Sequence, residues 1–181
     1  MIRKLNRIFQ DYMREKRLKI GKAIWDKKEK TNIISGNNFI EDNNIKSILF
    51  LRYDGKIGDM IVNSLMFREI KKVYPDIKIG LIARGAAIDI VKNNPNVDEI
   101  YEYHKDRKKI KKLALKIKEE KYDLLIDFSE MLRVNQMMLI NLCGARINIG
   151  LDRKEWKLFD LSIESDKDFK WTEHITDRYL A

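Results

Sequence analysis

The sequence is poor in the residues that usually build metal or redox centres. Its single cysteine, Cys143, excludes an intrachain disulfide and any thiolate cluster for zinc, and points to a reducing cytoplasm. Its two histidines, His104 and His174, are far apart in the chain and have neither an HExxH pair nor a cysteine partner, so no metal site is expected. No stretch approaches the roughly 18 apolar residues of a membrane-spanning helix. The N-terminus is positively charged but lacks an apolar core and a small-residue cleavage site, so export is not expected.

Phosphate loops are missing as well. Between the first apolar strand and the helix after it, "RYDGKIGDM" offers only Gly55 and Gly58. A dinucleotide fingerprint needs Gly-x-Gly-x-x-Gly and an acidic residue at the end of the next strand. A P-loop needs a lysine and then a hydroxyl residue after its second glycine. Neither pattern is met, and no cofactor is expected.

What the chain does have is apolar periodicity and positive charge. At 44% apolar it can bury a core, and its 181 residues suit one domain with extensions. The formal charge is +9, and residues 1–30 carry eleven basic against four acidic side chains. A second basic stretch, 104–121, has nine basic against three acidic residues. Such patches attract anionic lipid, phosphorylated substrates or nucleic acid. No aromatic stacking platform or recognition-helix pattern accompanies the charge, so nucleic acid is not an expected partner.

Residues 1–45 read as a basic N-terminal extension and linker. Ile2, Leu5, Ile8, Phe9, Tyr12 and Met13 recur at helical spacing among arginines and lysines. This composition fits an interfacial anchor on an anionic membrane surface, peripheral on the inner face of the cytoplasmic membrane. It equally fits a helix packed on its own domain. "SGNNFIEDNN" (35–44) reads as the linker.

From Lys46 strands and helices alternate. Strands are expected at 47–53, 77–83, within 94–103, at 122–128 and at 145–150, with helices at 59–74, 86–93, 105–121 and 131–144. This order predicts an α/β fold: a Rossmann-like parallel sheet with helices on both faces, over 46–169. Ligands of such sheets bind beyond the carboxyl ends of the strands, which places 54–59 and 127–133 at the binding edge. Residues 156–169 lose the alternation, and 170–181 look like the start of a helix, with Thr172 as its cap.

Two readings of Asp59 stand side by side. As a helix-start carboxylate it would accept orphan backbone N–H bonds. Alternatively, the two glycines let a substrate hydroxyl approach a fixed carboxylate, with Asp54 and Arg52 flanking the turn. Asp127, Ser129, Glu130 and Arg133 form a second cluster on the same edge, suited to sugar hydroxyls or phosphate or to an ordinary helix start.

Four stretches in order carry a resemblance. They are "ILFLRYDGKIGDMIVNSLMFREIKKVYPDIKIGLIA" (48–83), "NPNVDEIYEY" (94–103), "YDLLIDFSEMLRVNQMMLINLCGARINIGLDR" (122–153) and "HITDRYL" (174–180). Together they resemble the N-terminal, acceptor-side half of the family 9 glycosyltransferases, the heptosyltransferases of lipopolysaccharide core synthesis. Residues 1–30 lie outside the resemblance. It implies the two-domain GT-B arrangement, with 170–181 leading to a donor-binding domain that these residues do not include. It also implies inverting transfer from a nucleotide-activated sugar of the ADP-heptose type to a lipid-linked or phosphorylated saccharide acceptor. Asp59 maps onto the family's general base, with Gly55, Lys56, Gly58, Asp127, Ser129, Glu130 and Arg133 binding the acceptor or shaping its site. Ser129-Glu130 stands where the family often has Gln-Gly. Lacking the donor half, the chain is expected to be inactive alone, and the rival reading is a non-catalytic acceptor-binding or interaction domain.

Overall fold

The computed structural model describes residues 2–129 and 131–164, with side chains in the first helix described from Asn6 onward apart from Ile8. Glu130 lies outside the described residues, as do the helix start expected at 170–181 and its Trp171, Thr172 and His174. The elements run α1 (Ile2–Trp25), α2 (Phe39–Asp42), β1 (Ser47–Arg52), α3 (Ile57–Val73), β2 (Lys78–Ala83), α4 (Ala86–Val91), β3 (Glu99–Glu102), α5 (Arg107–Glu119), β4 (Leu124–Asp127), α6 (Val134–Cys143), β5 (Ile147–Leu151) and β6 (Leu161–Ile163). The strands form one six-stranded sheet in the order β3-β2-β1-β4-β5-β6, with every pairing parallel.

The near-continuous apolar strands follow from burial on both faces. Along β1, Ile48 and Phe50 enter the core against α3 and α4, with Met60, Phe67, Ala87 and Val91. Leu49 and Leu51 enter the opposite core, shared with Ile110, Ala114 and Ile117 of α5 and Met137 to Ile140 of α6. One strand thus serves two layers through its period of two. The ends are defined locally. Asp106 caps α5 by accepting from the Lys109 N–H at 2.9 Å, and Gly144 closes α6 in the left-handed conformation, φ 63°.

The N-terminal segment is held against this sheet domain. Leu18 and Trp25 of α1 pack on the core beside α6. At Gly21 the two helices come so close that an added Cβ would lie 2.7 Å from a Val134 methyl. After α1 the chain runs along the connection between β5 and β6. The Asp26 carboxylate accepts from the Leu158 N–H at 2.8 Å, and Lys28 Nζ meets the fully buried Asp160 carboxylate at 2.7 Å. That carboxylate also accepts from the backbone N–H groups of Thr31 (2.8 Å) and Asn148 (2.7 Å).

Two stretches hold more order than their composition suggests. Within 35–44, α2 forms a single turn, and the Asn43 side chain bonds the backbone of Ile34 in both directions. Within 156–169, three residues form β6, a parallel edge strand on β5. The β5–β6 connection, 152–160, contains no helix, and its backbone is partly satisfied by the 26–31 segment just described.

Candidate functional site

The strand order reverses between β1 and β4, and the crevice beyond their carboxyl ends is where sheets of this type take ligands. The turn after β1 is built around Gly55, whose φ of 78° lies in the left-handed region and whose Cβ position would be 3.2 Å from the Arg84 carbonyl oxygen. Asp54 folds back over the turn, accepting from the Lys56 N–H at 3.4 Å. At Gly58 a Cβ would meet nothing within 4 Å, so packing does not demand glycine there.

The helix begins two residues earlier than its sequence suggests. Lys56 occupies the N-cap and Asp59 is the third helical residue. The Asp59 carboxylate caps nothing. Its charged neighbour among the described residues is Lys56, with Nζ at 3.7 Å, and its side chain is 28% exposed. The Asp59 carbonyl oxygen accepts from the Asn63 side chain, whose own Oδ1 accepts from Arg52 Nη2 at 3.3 Å. Arg52 and Asn63 are both buried. They tie the end of β1 to the first turns of α3 and fix the helix that carries Asp59.

Asp127, at the end of β4, has a different role. It is fully buried and accepts from the Ser129 N–H (3.1 Å), the Ser129 hydroxyl (3.1 Å) and Gln136 Nε2 (2.6 Å). Gln136 in turn accepts from the Arg133 N–H at 3.2 Å, and Arg153 donates to the Ser129 carbonyl oxygen. Burial pushes the Asp127 carboxyl above the usual range, against the Ser129 bonds and the Arg153 and Arg52 charges that pull it down. Burial likewise lowers the Arg153 guanidinium, opposed by Asp127. Asp127 and Ser129 shape the site from beneath rather than facing a ligand.

Above this buried network lies an open cavity of about 600 Å³. Lys56, Arg84, Lys105 and Arg133 put four cations on its wall, with Asp54 as its carboxylate. Tyr53, Tyr103 and Asn135 add neutral polar groups. Burial, then the Asp127 charge, pushes the Tyr53 phenol up to about 12, which keeps it a neutral hydroxyl. The Tyr53 and Tyr103 rings meet at 5.3 Å between centroids. Asp59 does not line this cavity. Lys56 does, and its Nζ lies 4.0 Å from Asp54 and 3.7 Å from Asp59. The arrangement suits a hydroxylated ligand that carries phosphate, since guanidinium and ammonium groups bond phosphate oxygens and the edge carboxylates can accept a hydroxyl proton.

Among the residues expected from sequence, Lys56 and Arg133 line the cavity, Gly55 makes the turn beside it, Asp59 adjoins Lys56, Asp127 and Ser129 lie below, and Gly58 has no contact that requires a glycine. Sequence reasoning passed over Arg84, Tyr103 and Lys105. The signal was available: these residues follow β2 and β3, whose carboxyl ends share the same edge.

No family model matches the chain. Over 102 residues, 52% of its length, the chain is 30% identical to lipopolysaccharide heptosyltransferase 3 of Escherichia coli, and the match spans 29% of that protein. Its fold is similar to that of ADP-heptose lipopolysaccharide heptosyltransferase II of Escherichia coli, with a TM-score of 0.59 and 20% identity over 74% of this chain and 39% of that one. It is also similar to a family 9 glycosyl transferase of Veillonella parvula, with a TM-score of 0.62 and 18% identity over 82% of this chain and 42% of that one. The two structural likenesses, each below 25% identity, show the fold. The chain is thus homologous over part of its length, at low to moderate identity, to family 9 heptosyltransferases, and its helix-flanked parallel sheet is Rossmann-like and GT-B-like.

Proposed function

We propose that these residues form the acceptor-side half of an inverting glycosyltransferase of the heptosyltransferase type. The single observation that carries the reading is the pairing of an uncapped carboxylate, Asp59, with a cavity walled by Lys56, Arg84, Lys105 and Arg133 on one sheet edge. The cations hold the phosphate of a saccharide acceptor. The acceptor hydroxyl oxygen attacks the anomeric carbon of a nucleotide-activated heptose or related sugar. As that bond forms, the bond from the anomeric carbon to the diphosphate breaks, the diphosphate leaves with the electron pair and Asp59 takes the hydroxyl proton. A positioned base of this kind contributes about 10²–10⁴-fold when it lies about 2.6–3.2 Å from the hydroxyl. Lys56 has to swing from Asp59 toward the phosphate for that approach, and its largely exposed side chain is free to do so. The diphosphate is neutralised by a donor-binding half, in keeping with a match spanning 29% of the heptosyltransferase 3 length.

A second assignment of the base, Asp54, is favoured by one observation: Asp54 lines the cavity and Asp59 does not. Transfer assays decide between them. The chain is combined with a donor-binding heptosyltransferase half, an activated heptose and a phosphorylated core acceptor, and the wild type is compared with Asp59→Asn and Asp54→Asn. Loss of about 10²-fold or more in kcat for Asp59→Asn alone supports the proposal. The same loss for Asp54→Asn alone moves the base to Asp54. Acceptor binding by the 181-residue chain, measured by calorimetry, should weaken in Arg84→Gln and Lys105→Gln, and unchanged binding in both would reject the cavity as the acceptor site.

A further inference from the structure

The helix α1 has two apolar faces, and among the described residues one of them packs on the sheet domain. Leu18, Gly21 and Trp25 meet the sheet domain. Phe9, Tyr12, Ile20 and Ile24 lie on the opposite side, and each is more than half exposed. At 100° per residue these four fall within one 120° stripe, the width of a face that binds an apolar surface.

Between α1 and the start of α6 lies a groove of about 610 Å³. Arg14 and Arg17 of α1 face Arg133 and Arg153 across it, and no carboxylate lines it among the described residues. Its apolar wall includes Leu18, Met131, Leu132, Val134 and Trp156. Arg153 is buried and held by the Ser129 and Asp152 carbonyl oxygens. Arg17 and Arg133 have no carboxylate partner among the described residues, and Arg14 is held only by an exposed pair with Asp11 at 3.4 Å. A neighbouring hollow joins Arg14 and Arg17 to Phe9 and Met13, so the groove is continuous with the outward stripe.

Four guanidinium groups around an apolar wall complement one kind of ligand, an anion with a hydrocarbon stem. We propose that this groove binds the phosphate head of an anionic membrane lipid while the outward stripe of α1 lies in the bilayer surface. Guanidinium forks engage the phosphate oxygens, and the apolar wall takes the glycerol and the first methylenes of the chains. The stripe supplies interfacial burial of the kind that holds amphipathic helices on membranes. The site shares Arg133 with the acceptor cavity but needs neither Asp59 nor a sugar donor, so it stands or falls separately from the transfer reading.

The test is flotation of the full chain with phosphatidylcholine vesicles, with and without 30 mol% phosphatidic acid, at about 0.15 M salt, where surface charge is felt over about 8 Å. Binding is expected only with phosphatidic acid. Arg14→Gln/Arg17→Gln should weaken it about 25-fold, at about fivefold for each basic residue near the surface. Lys111→Gln/Lys112→Gln removes the same charge from the solvent face of α5 and should leave binding within about twofold of wild type. Equal binding to uncharged vesicles, equal loss in both double variants, or no loss in the first would each overturn the proposal. A second measurement works on the wild type and needs no variant to fold: a monomeric short-chain phosphatidic acid should bind at least tenfold tighter than inorganic phosphate. Equal affinity would show that the apolar wall contributes nothing and would also overturn it.

Discussion

Replacing Gly21 by alanine sets two effects of opposite sign against each other, and the winner reports whether α1 is docked. In the interior of a helix that stands alone, alanine in place of glycine is favourable by roughly 0.5–1 kcal/mol. In the docked helix the new Cβ would sit 2.7 and 2.9 Å from the two Val134 methyls and 3.1 Å from Met137 Cε. The methionine can yield. Val134 cannot turn both methyls away, because its χ1 is restricted and both already face the helix. Overpacking of this kind costs about 1–3 kcal/mol. The clash therefore exceeds the propensity gain, and the net loss is about 0–2.5 kcal/mol. For a chain of this size, about 2–4 °C per kcal/mol gives a fall in Tm of up to about 10 °C. Thermal unfolding followed by circular dichroism gives the sign, and hydrogen exchange of the α1 amides locates it. Val134→Ala added to Gly21→Ala removes the clashing methyls and should restore part of the loss, a coupling that only direct contact produces. A raised Tm, stronger helix signal and unchanged α1 exchange in Gly21→Ala would refute the docking.

Two further outcomes follow from buried ionisable groups. Burial raises the Asp127 carboxyl, so the folded chain holds this proton to higher pH than the unfolded chain. The stability it contributes is complete below the unfolded value of about 3.9 and is lost as pH rises through the folded value, so the Tm of wild type relative to Asp127→Asn should fall from about pH 4 upward; a rise would contradict the assignment. Burial pushes the Cys143 thiol up to about 12, so a thiol reagent at pH 8 should label it only on unfolding, and rapid labelling of the native chain would show that the α5–α6 layer opens locally.

The sheet was legible because its strands are buried on two faces, which leaves continuous apolar runs such as Ile48 to Leu51 between turn residues. The rule that ligands gather beyond carboxyl ends pointed to the turn at Asp54 to Asp59 and to Arg133, and Asp54, Lys56 and Arg133 line one cavity. It gave location but not exposure. Asp127 sits on that edge and is fully buried, because Ser129 and Gln136 close over it, and no spacing announces that. The edge strand β6 escaped for another reason: three residues are too few to show a period. The docking of α1 was hidden by its own device. A glycine inside an amphipathic helix looks like a weak point, and here it is the contact that lets two helices approach.

That contact links the N-terminal helix to the cavity at the sheet edge. Val134, against which Gly21 packs, is the first residue of α6 and adjoins Arg133. Arg133 lines both the cavity beside Asp59 and the groove beneath α1. Its backbone N–H is fixed by Gln136, which also holds Asp127. One buried network therefore sets the position of a guanidinium that faces two cavities. Asp127 and Asp59 differ in their surroundings. Asp127, fully buried and accepting from three donors, is closed off from the crevice and orients the chain around it. Asp59 is partly exposed, and its charged neighbour among the described residues is the exposed Lys56, so a ligand can reach it. A helix lying in a bilayer surface would hold Arg133 next to that surface, and an acceptor saccharide anchored in lipid would then reach the cavity without leaving the membrane.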